Sequence, residues 1–563
     1  MSPRLYAPPD GPAAGFRART LAGMLTDARA WATRPVDGDW IAPADDDPVY
    51  ENLYDRFWAI MTDAAVLEHL ALTSLVSSSP AVTDAAVARL AGTARRWRPE
   101  ARLAPDYGTA YATTRVVKAL AVGYDCLAGA LPSAVADDVA GVLADCLRRL
   151  AADWFARPAI RGPVGTGAGR HSPHHSSVEW SAFGVGALAL LGRLPEAAAW
   201  VDDAERQFRE HLLPGALAAD GGAPEGMEFW ASTVLSQLQF LEPLRRVTGH
   251  DLLTAHARSL DPAPGLAVYL PRRTATADGQ PHYAPSTGIS AVLSLLARER
   301  GDAGLAAVAA REDAAGRMEV WPARTPRRGE QLSFSWNAYA ALWHPGDAGG
   351  AAEPAAPTWH SPTLGEAHVR SGWGPGSVAV TVRRGKVTVW ADGECAFADL
   401  TPETVVDVAE SRRTGSGVYR TEPAGLEPAV LRVAEVGDVA VVTGADATGR
   451  QLLRLTLDRR RRAVTVVRLD GRPRRWWWAT AATPAVTTGT VTDVTADGHR
   501  PDLRAGYGLL DVVESDPRAY PVAAVVPDAG RIEVALRLGK NRPGASGPRR
   551  QDRSDAQRQE DPA

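Results

Sequence analysis

A histidine-rich turn followed by an almost uninterrupted apolar run limits more than any other feature how this chain can fold. The turn begins at His171 and reads HSPHHSSVEW, and the run from Phe183 to Leu191 is apolar at nearly every position. A surface helix needs only one apolar stripe, so this run predicts a helix that is buried on all sides. We therefore expect a helical core with at least one inner helix.

Neighbouring segments extend this helical pattern. Residues 113–155 contain an apolar helix, a Leu-Pro-Ser helix start and then an amphipathic helix. Residues 195–213 carry charges on one face and apolar side chains on the other, as an outer helix would. Similar patterns begin at residues 51–76 and continue to about residue 311. The sequence thus predicts a helical domain made of hairpins over residues 1–345.

The composition changes after Pro345. Residues 346–357 are rich in Ala, Gly and Pro without any periodicity, which predicts a linker. Residues 358–540 contain Val- and Thr-rich runs with period-two alternation, broken by Asp-Gly, Arg-Gly and Gly-Asp turns, which predicts an antiparallel β-sandwich domain. Residues 541–563 have no hydrophobic run and predict a disordered tail. A length of 563 residues is sufficient for two cores.

Charge and cysteine content exclude several classes of partner. The formal net charge of −4 gives no general attraction to nucleic acid or to a membrane surface. Cys126, Cys146 and Cys395 have no metal-type spacing and fit a reduced compartment. The chain has no secretory-type apolar start and no run of ~18 apolar residues for membrane insertion. We therefore predict a cytoplasmic protein; the sequence does not predict its oligomeric state.

Several segments, in their order and spacing, resemble the heparinase II/III-like polysaccharide lyases and their alginate-lyase relatives. The segments are ALAVGYDCLAGALP, HHSSVEWSAFGVGALALLG, LAADGGAPEGMEFW, TADGQPHYAPSTG, and LGEAHVRSGWG followed by VWADGE. The resemblance implies an incomplete (α/α) toroid packed on an antiparallel β-sandwich, with a sugar-binding cleft between them. It also implies β-elimination at a uronic acid. That reaction needs a group that neutralises the substrate carboxylate, a base and an acid for the departing oxygen.

The resemblance places a polar catalytic pair at His174 and His175. His175 is the stronger candidate for carboxylate neutralisation or proton abstraction, because an imidazole can donate a hydrogen bond or change protonation near neutral pH. The alternative is that these histidines and His171 only cap and solvate the helix start. Glu179, four residues beyond His175, either orients its imidazole or is a first-turn acid favoured by the helix dipole.

Glu225 is a further catalytic candidate, because the turn before it and Pro224 would hold its carboxylate rigidly. Relatives often carry a catalytic tyrosine just after this Glu-Gly step, where this chain has Phe229. Tyr283 is the candidate that would replace it. Tyr107 and Tyr111 are further candidates, although packing is the more common role for any single tyrosine.

The β-domain lacks the histidine loop of many relatives, and His368 is the nearest histidine. We therefore predict neither a zinc site nor any other cofactor.

Other residues are predicted to contact substrate. Arginines at the position of the missing loop would bind an anionic oligosaccharide, although an exposed hairpin face is the commoner explanation for such charges. The predicted substrate-binding residues are Glu179, Trp180, Trp230, Tyr107, His282 and Arg384.

Three functions stay open from the sequence. The first is a lyase with a rearranged acid/base set, acting on a uronate-containing oligosaccharide or glycosylated metabolite. The second is a protein that keeps the fold but binds a glycan or has been repurposed. The third is a glycoside hydrolase using Glu179 and Glu225, which requires their carboxyl groups to lie about 5–10 Å apart.

Overall fold

The computed structural model describes part of the chain. The described residues are 4–9, 11, 13–36, 51–97, 107–165, 171–225, 228–255, 261–269, 288–312, 315–318, 320–321, 331–332, 337–346, 353–354, 358–374, 376–383, 385–391, 394–399, 403–406, 420–423, 430–478, 482–495, 522–529 and 531–538. The predicted tail at 541–563 lies outside them. Every helix among the described residues is too short or too polar to cross a lipid bilayer.

The first part of the chain is mainly helical. The helix Pro173–Leu190, numbered α6, contains the apolar run, and all 18 of its residues are buried, which confirms the predicted inner helix. The α-helices of the described residues are α1 (Gly15–Trp31), α2 (Glu51–Val76), α3 (Pro80–Arg96), α4 (Tyr107–Cys126), α5 (Ser133–Arg149), α6 (Pro173–Leu190), α7 (Ala197–Gln207), α8 (Leu213–Gly215), α9 (Glu228–Thr248), α10 (Leu252–Ala255), α11 (Ala263–Val268), α12 (Ile289–Arg300), α13 (Ala303–Ala309) and α14 (Ala338–Trp343).

Four of these helices form the centre of the helical part. α4 packs between α2 and α6, and α6 packs in turn against α9. Their buried side chains, including Val117, Leu188 and Leu238, belong to one hydrophobic core. A short antiparallel pair, β1 (Val320–Trp321) and β2 (Gln331–Leu332), lies in the region predicted as helical. Two-residue strands are too short to produce a recognisable alternation in the sequence.

Replacing Gly184 with alanine is expected to lower the free energy of unfolding by about 1–3 kcal/mol, because the added methyl overpacks the core. A Cβ at Gly184 on α6 would lie 2.4 Å from Cε2 of Phe240 on α9. Gly141 on α5 has no atom within 4 Å of such a Cβ, so G141A should stabilise by up to about 1 kcal/mol through helix propensity. Urea unfolding of both variants tests this, and G184A as stable as wild type would contradict the close α6–α9 packing.

The second part of the chain consists of antiparallel strands. They are β3 (Thr358–Ser361), β4 (Glu366–Arg370), β5 (Val378–Arg383), β6 (Lys386–Ala391), β7 (Glu394–Asp399), β8 (Glu403–Val406), β9 (Arg420–Pro423), β10 (Val430–Val436), β11 (Val439–Ala445), β12 (Gln451–Asp458), β13 (Ala463–Arg468), β14 (Arg474–Trp478), β15 (Ala482–Thr488), β16 (Thr490–Thr495), β17 (Val522–Val526) and β18 (Ile532–Leu538).

Two large sheets are formed by the described strands. One has the order β16-β17-β14-β7-β6-β5-β4-β3 and the other β10-β11-β12-β13-β18-β15. Val380 and Val389 of the first sheet and Leu455 and Val466 of the second belong to one hydrophobic core, which explains the period-two alternation. The mixed class of helices and antiparallel sheets is therefore confirmed. The finer toroid and sandwich geometry and the domain boundaries stay predictions.

β3 and β4 join the sheets to the helical part. Trp359 on β3 lies in the helical core. Arg370 on β4 donates from Nη1 to the backbone oxygens of Leu266, at 2.9 Å, and Tyr269, at 2.7 Å. Burial lowers the pKa of Arg370 to about 9. Val369, on the opposite face of β4, belongs to the hydrophobic core that contains residues of both sheets. One strand therefore contacts both cores.

Candidate functional site

The candidate site lies at the N-terminus of α6. Pro173 is its first residue, a position where the missing N–H costs no helical hydrogen bond. The next backbone amide, His174 N, donates to Oε2 of Glu225 at 2.8 Å, and His174 Nδ1 donates to Oε1 at 2.8 Å. Both carboxylate oxygens of Glu225 therefore bind one residue. The carboxylate occupies the place of a helix N-cap, where the helix dipole favours an anion.

The electrostatic surroundings keep Glu225 charged. Burial alone would raise the pKa of its carboxyl group, but the charge and hydrogen bond of His174 outweigh that effect. Further hydrogen bonds from Ser172 and from the His174 backbone amide act in the same direction, and the pKa of Glu225 falls below its ordinary value. Glu225 is thus an anion at neutral pH. It is suited to holding His174 and not to donating a proton.

Glu179 forms a second imidazole–carboxylate pair. His171 Nε2 donates to Glu179 Oε2 at 2.8 Å, and Trp154 Nε1 donates to the same oxygen at 2.9 Å. A π-helical turn, Leu150–Trp154, follows α5 and brings Trp154 to this position. Such turns are common at functional sites. The sequence suggested that Glu179 orients His175 or is a first-turn acid favoured by the helix dipole, whereas the structure pairs its buried carboxylate with His171.

His175 lies beside both pairs. The centroid of its ring is 3.8 Å from that of His174, 6.2 Å from that of His171 and 5.0 Å from that of Tyr111. Burial, and then the positive charges of His174, His171 and Arg115, hold the pKa of His175 well below its ordinary value. Its imidazole is therefore neutral at neutral pH and is able to accept a proton.

α4 brings a phenol and a cation to the same place. Tyr111 and Arg115 are four residues apart and share a helix face. Arg115 Nη2 donates to the Tyr111 hydroxyl at 2.9 Å, and its guanidinium carbon lies 5.1 Å from the centroid of the ring. Burial raises the pKa of Tyr111 although Arg115 opposes this, so the phenol is protonated at neutral pH. Arg115 was not singled out from the sequence; its signal was one of two cations, with Lys118, in the mainly apolar middle of α4.

The two predicted sugar-contacting tryptophans lie in the core. Trp180 is 1% exposed and donates from Nε1 to the Ile160 backbone oxygen at 3.2 Å. Trp230 is 0% exposed. We therefore assign both to packing. Phe229, at the position where the resemblance implied a tyrosine, is half-buried, and its ring centroid lies 4.3 Å from that of His174.

The remaining predicted site residues lie outside the described part of the chain. Tyr283, His282 and Arg384 are among them, and so is the side chain of Tyr107, whose backbone begins α4. Arg383, next to Arg384, forms an ion pair with Glu366, with Nε and Oε1 3.0 Å apart. Among the residues that the structure describes, no group of three His, Cys, Asp or Glu side chains is arranged to hold a metal ion.

Acidification is expected to destabilise the protein through His175. The pKa of His175 in the folded protein lies below the value of about 6.5 for an exposed histidine. The unfolded chain therefore binds this proton first, and the free energy of unfolding falls as the pH drops below about 6.5. Urea unfolding at several pH values should show that the free energy of unfolding changes less steeply with pH in H175Q than in the wild type. His69, also buried with a lowered pKa, keeps its own contribution in both proteins. An equal pH dependence of the two free energies would contradict the lowered pKa of His175.

No protein-family model matches the sequence, and neither does any curated protein. Among solved structures, heparinase III is similar with a TM-score of 0.50 and 10% identity, over 95% of this chain and 87% of that chain. The chain has a polysaccharide-lyase-like fold. Heparan sulfate lyase HepC from Pedobacter heparinus gives a TM-score of 0.44 at 10% identity, over 95% and 85% of the two chains. A variant of the Streptomyces coelicolor chondroitin AC lyase gives 0.48 at 14% identity, over 94% and 81%. At these identities the likeness concerns the fold alone.

Proposed function

We propose that this protein is a carbohydrate-active lyase, a divergent member of the heparinase II/III-like group, that performs β-elimination on a uronate-containing oligosaccharide. Arg115 neutralises the substrate carboxylate, His175 removes the proton next to it, and Tyr111 protonates the departing oxygen. The observation that carries the proposal is the adjacency of these three groups. Arg115 donates to the Tyr111 hydroxyl at 2.9 Å, and the rings of Tyr111 and His175 are 5.0 Å apart.

The protonation states support these roles. An acid and a base act together at neutral pH when their surroundings push their pKa values apart. His175 has a lowered pKa and is neutral, so it can accept a proton. Tyr111 has a raised pKa and is protonated, so it can give one. The guanidinium of Arg115 attracts the substrate carboxylate, whose neutralisation makes the neighbouring proton more acidic.

The two imidazole–carboxylate pairs hold this arrangement. His174, pinned by both oxygens of Glu225, lies against one face of His175, with ring centroids 3.8 Å apart. We therefore reassign His174 and Glu225 from the catalytic role that the sequence suggested to a positioning role. Tyr283 stays a catalytic candidate that lies outside the described residues.

Hydrolysis by Glu179 and Glu225 is less well supported. A glycosidase acid needs a carboxyl group that is protonated near neutral pH. The pKa of Glu225 is lowered, and both of its oxygens bind His174. Glu179 receives hydrogen bonds from His171 and Trp154 on one oxygen. Glu225 is therefore a fixed anion and not the acid of a hydrolase, and the Glu179 carboxyl group is held by its two hydrogen bonds.

The proposal is tested by mixing the purified protein with a panel of uronate-containing oligosaccharides and following the ultraviolet absorbance of the unsaturated uronate product. The wild type should produce this absorbance, and Y111F should slow it by about 100-fold or more through loss of the acid. Tyr124, on the same helix, also accepts a hydrogen bond from an arginine, Arg193, so Y124F is a matched control that should keep full activity. An absent signal with every substrate, or an unchanged rate in Y111F, would contradict the proposal.

A further inference from the structure

We propose that the sheet part of the protein positions the candidate site through Asp220, and that Ser361 on β3 is a positioning residue for Glu225 and His174. The effect on catalysis rests on the proposed function. The effect on the His174 imidazole does not, because it can be measured without substrate.

The turn that precedes Glu225 is rigid. Gly221 N donates to the Ala218 backbone oxygen at 2.8 Å, and Ala218 N donates to the Gly222 backbone oxygen at 2.8 Å. Asp220 Oδ1 accepts a hydrogen bond from Gly222 N at 3.1 Å. Gly221 has φ +83°, a conformation that favours glycine. Three hydrogen bonds and the left-handed backbone conformation of Gly221 therefore hold the turn Ala218–Gly222 in one conformation.

Two side chains of β3, in the sheet part of the protein, bind this turn by hydrogen bonds to Asp220. The Ser361 hydroxyl donates to Asp220 Oδ2 at 2.7 Å, and it accepts from Leu364 N at 3.1 Å, which fixes its direction. Trp359 Nε1 donates to the Asp220 backbone oxygen at 3.3 Å. Ser361 is 0% exposed, so water does not compete for its hydroxyl.

Gly222 of the turn also lies close to Ser361 and Leu364. A Cβ on Gly222 would lie 2.5 Å from Leu364 Cδ1 and 3.1 Å from Ser361 Oγ. Gly222 does not have a positive φ, so an added methyl acts through this contact and not through backbone strain. The turn between β3 and β4 therefore sets how closely residue 222 can approach the sheet.

A displacement of the turn would also displace Glu225, which binds His174. Glu225 lies three residues after Gly222. The residue before it is Pro224, whose ring fixes φ and so removes one rotatable bond between the turn and Glu225. Both Glu225 oxygens bind His174, through its backbone amide and through Nδ1. Displacing the turn thus changes the N-cap of α6 and the orientation of the His174 ring at the same time. The ring of His175 packs against that ring.

The test uses S361A, which removes the donor to Asp220, and G222A, which adds a methyl 2.5 Å from Leu364 Cδ1 and 3.1 Å from Ser361 Oγ. Two matched controls make the same substitutions elsewhere. S290A removes a buried serine hydroxyl that donates to the Ala309 backbone oxygen at 2.9 Å, and G215A places a methyl with its nearest neighbour at 3.8 Å. The readout is the NMR titration of the His174 imidazole in the full chain, assigned by comparison with H174Q.

S361A and G222A should shift the His174 resonances and its titration midpoint, while S290A and G215A leave them unchanged even where stability falls. Where elimination is detected, S361A should lower kcat by about 10- to 100-fold with little change in KM, because the site is misplaced and not emptied. An unchanged His174 titration in S361A would overturn the inference. Absence of lyase activity in the wild type would contradict the proposed function but leave the NMR result decisive.

Discussion

Replacing His175 with alanine is expected to slow elimination by about 100- to 10,000-fold, the usual contribution of a general base. The physical reason is that the lowered pKa leaves His175 neutral, and its ring lies beside the Tyr111 phenol. Because the base acts in the transition state, kcat should fall and KM should change little. Initial rates of unsaturated product formation at several substrate concentrations measure both quantities.

His250 provides the control for this substitution. It follows the C-terminal end of α9, whereas Phe229 of the site lies at the N-terminal end of that helix. A 21-residue helix separates its two ends by about 30 Å. H250A should therefore keep the wild-type rate. Full activity in H175A, or an equal loss in H250A, would remove His175 from the role of base.

Replacing Lys118 with methionine is expected to lower the free energy of unfolding by about 3–5 kcal/mol, the usual cost of breaking a buried ion pair. Lys118 Nζ lies 3.0 Å from Glu68 Oε1 and donates to Gln239 Oε1 at 2.8 Å. Burial lowers the pKa of Lys118 to about 8 even though Glu68 opposes this. Without the ammonium, the buried Glu68 carboxylate loses that cation and keeps the hydrogen bond from Tyr339, at 2.5 Å.

The double variant K118M/E68Q separates the charge effect from the loss of packing. It removes both charges, and a neutral amide at position 68 still accepts the Tyr339 hydrogen bond. Most of the lost stability should therefore return, because a buried ion pair and a neutral replacement are often close in stability. Urea unfolding with unchanged m-values tests this. A double variant less stable than K118M would contradict the account of this pair.

The sequence predicted the features that depend on local pattern. The apolar run after His171 predicted the inner helix α6, because no surface helix would bury every face. The change from helical period to period-two alternation after Pro345 predicted antiparallel strands. The histidine turn and Glu225 were also recognised as parts of one site, and the structure brings them together through His174.

The sequence did not predict which polar groups pair, because the partners come from distant elements. Glu179 meets His171 and Trp154, and the latter depends on a π-helical turn with no recognisable sequence signal. Arg115 was missed because α4 also carries Lys118, and the sequence does not show which of the two cations lies beside Tyr111 and His175. The contact between Ser361 and Asp220 joins residues that are 141 positions apart. Such contacts are decided by tertiary packing and not by local propensity.

The most direct test of the proposed lyase chemistry is the mass of the products formed from a uronate-containing oligosaccharide of defined length. Elimination adds no water, so the masses of the two products should sum to that of the substrate, with the unsaturated uronate on one of them. Hydrolysis adds one water for each bond broken. We predict the first result, with the reaction lost in H175A. Products that together carry one additional water, or no cleavage of any uronate substrate by the folded wild type, would contradict it.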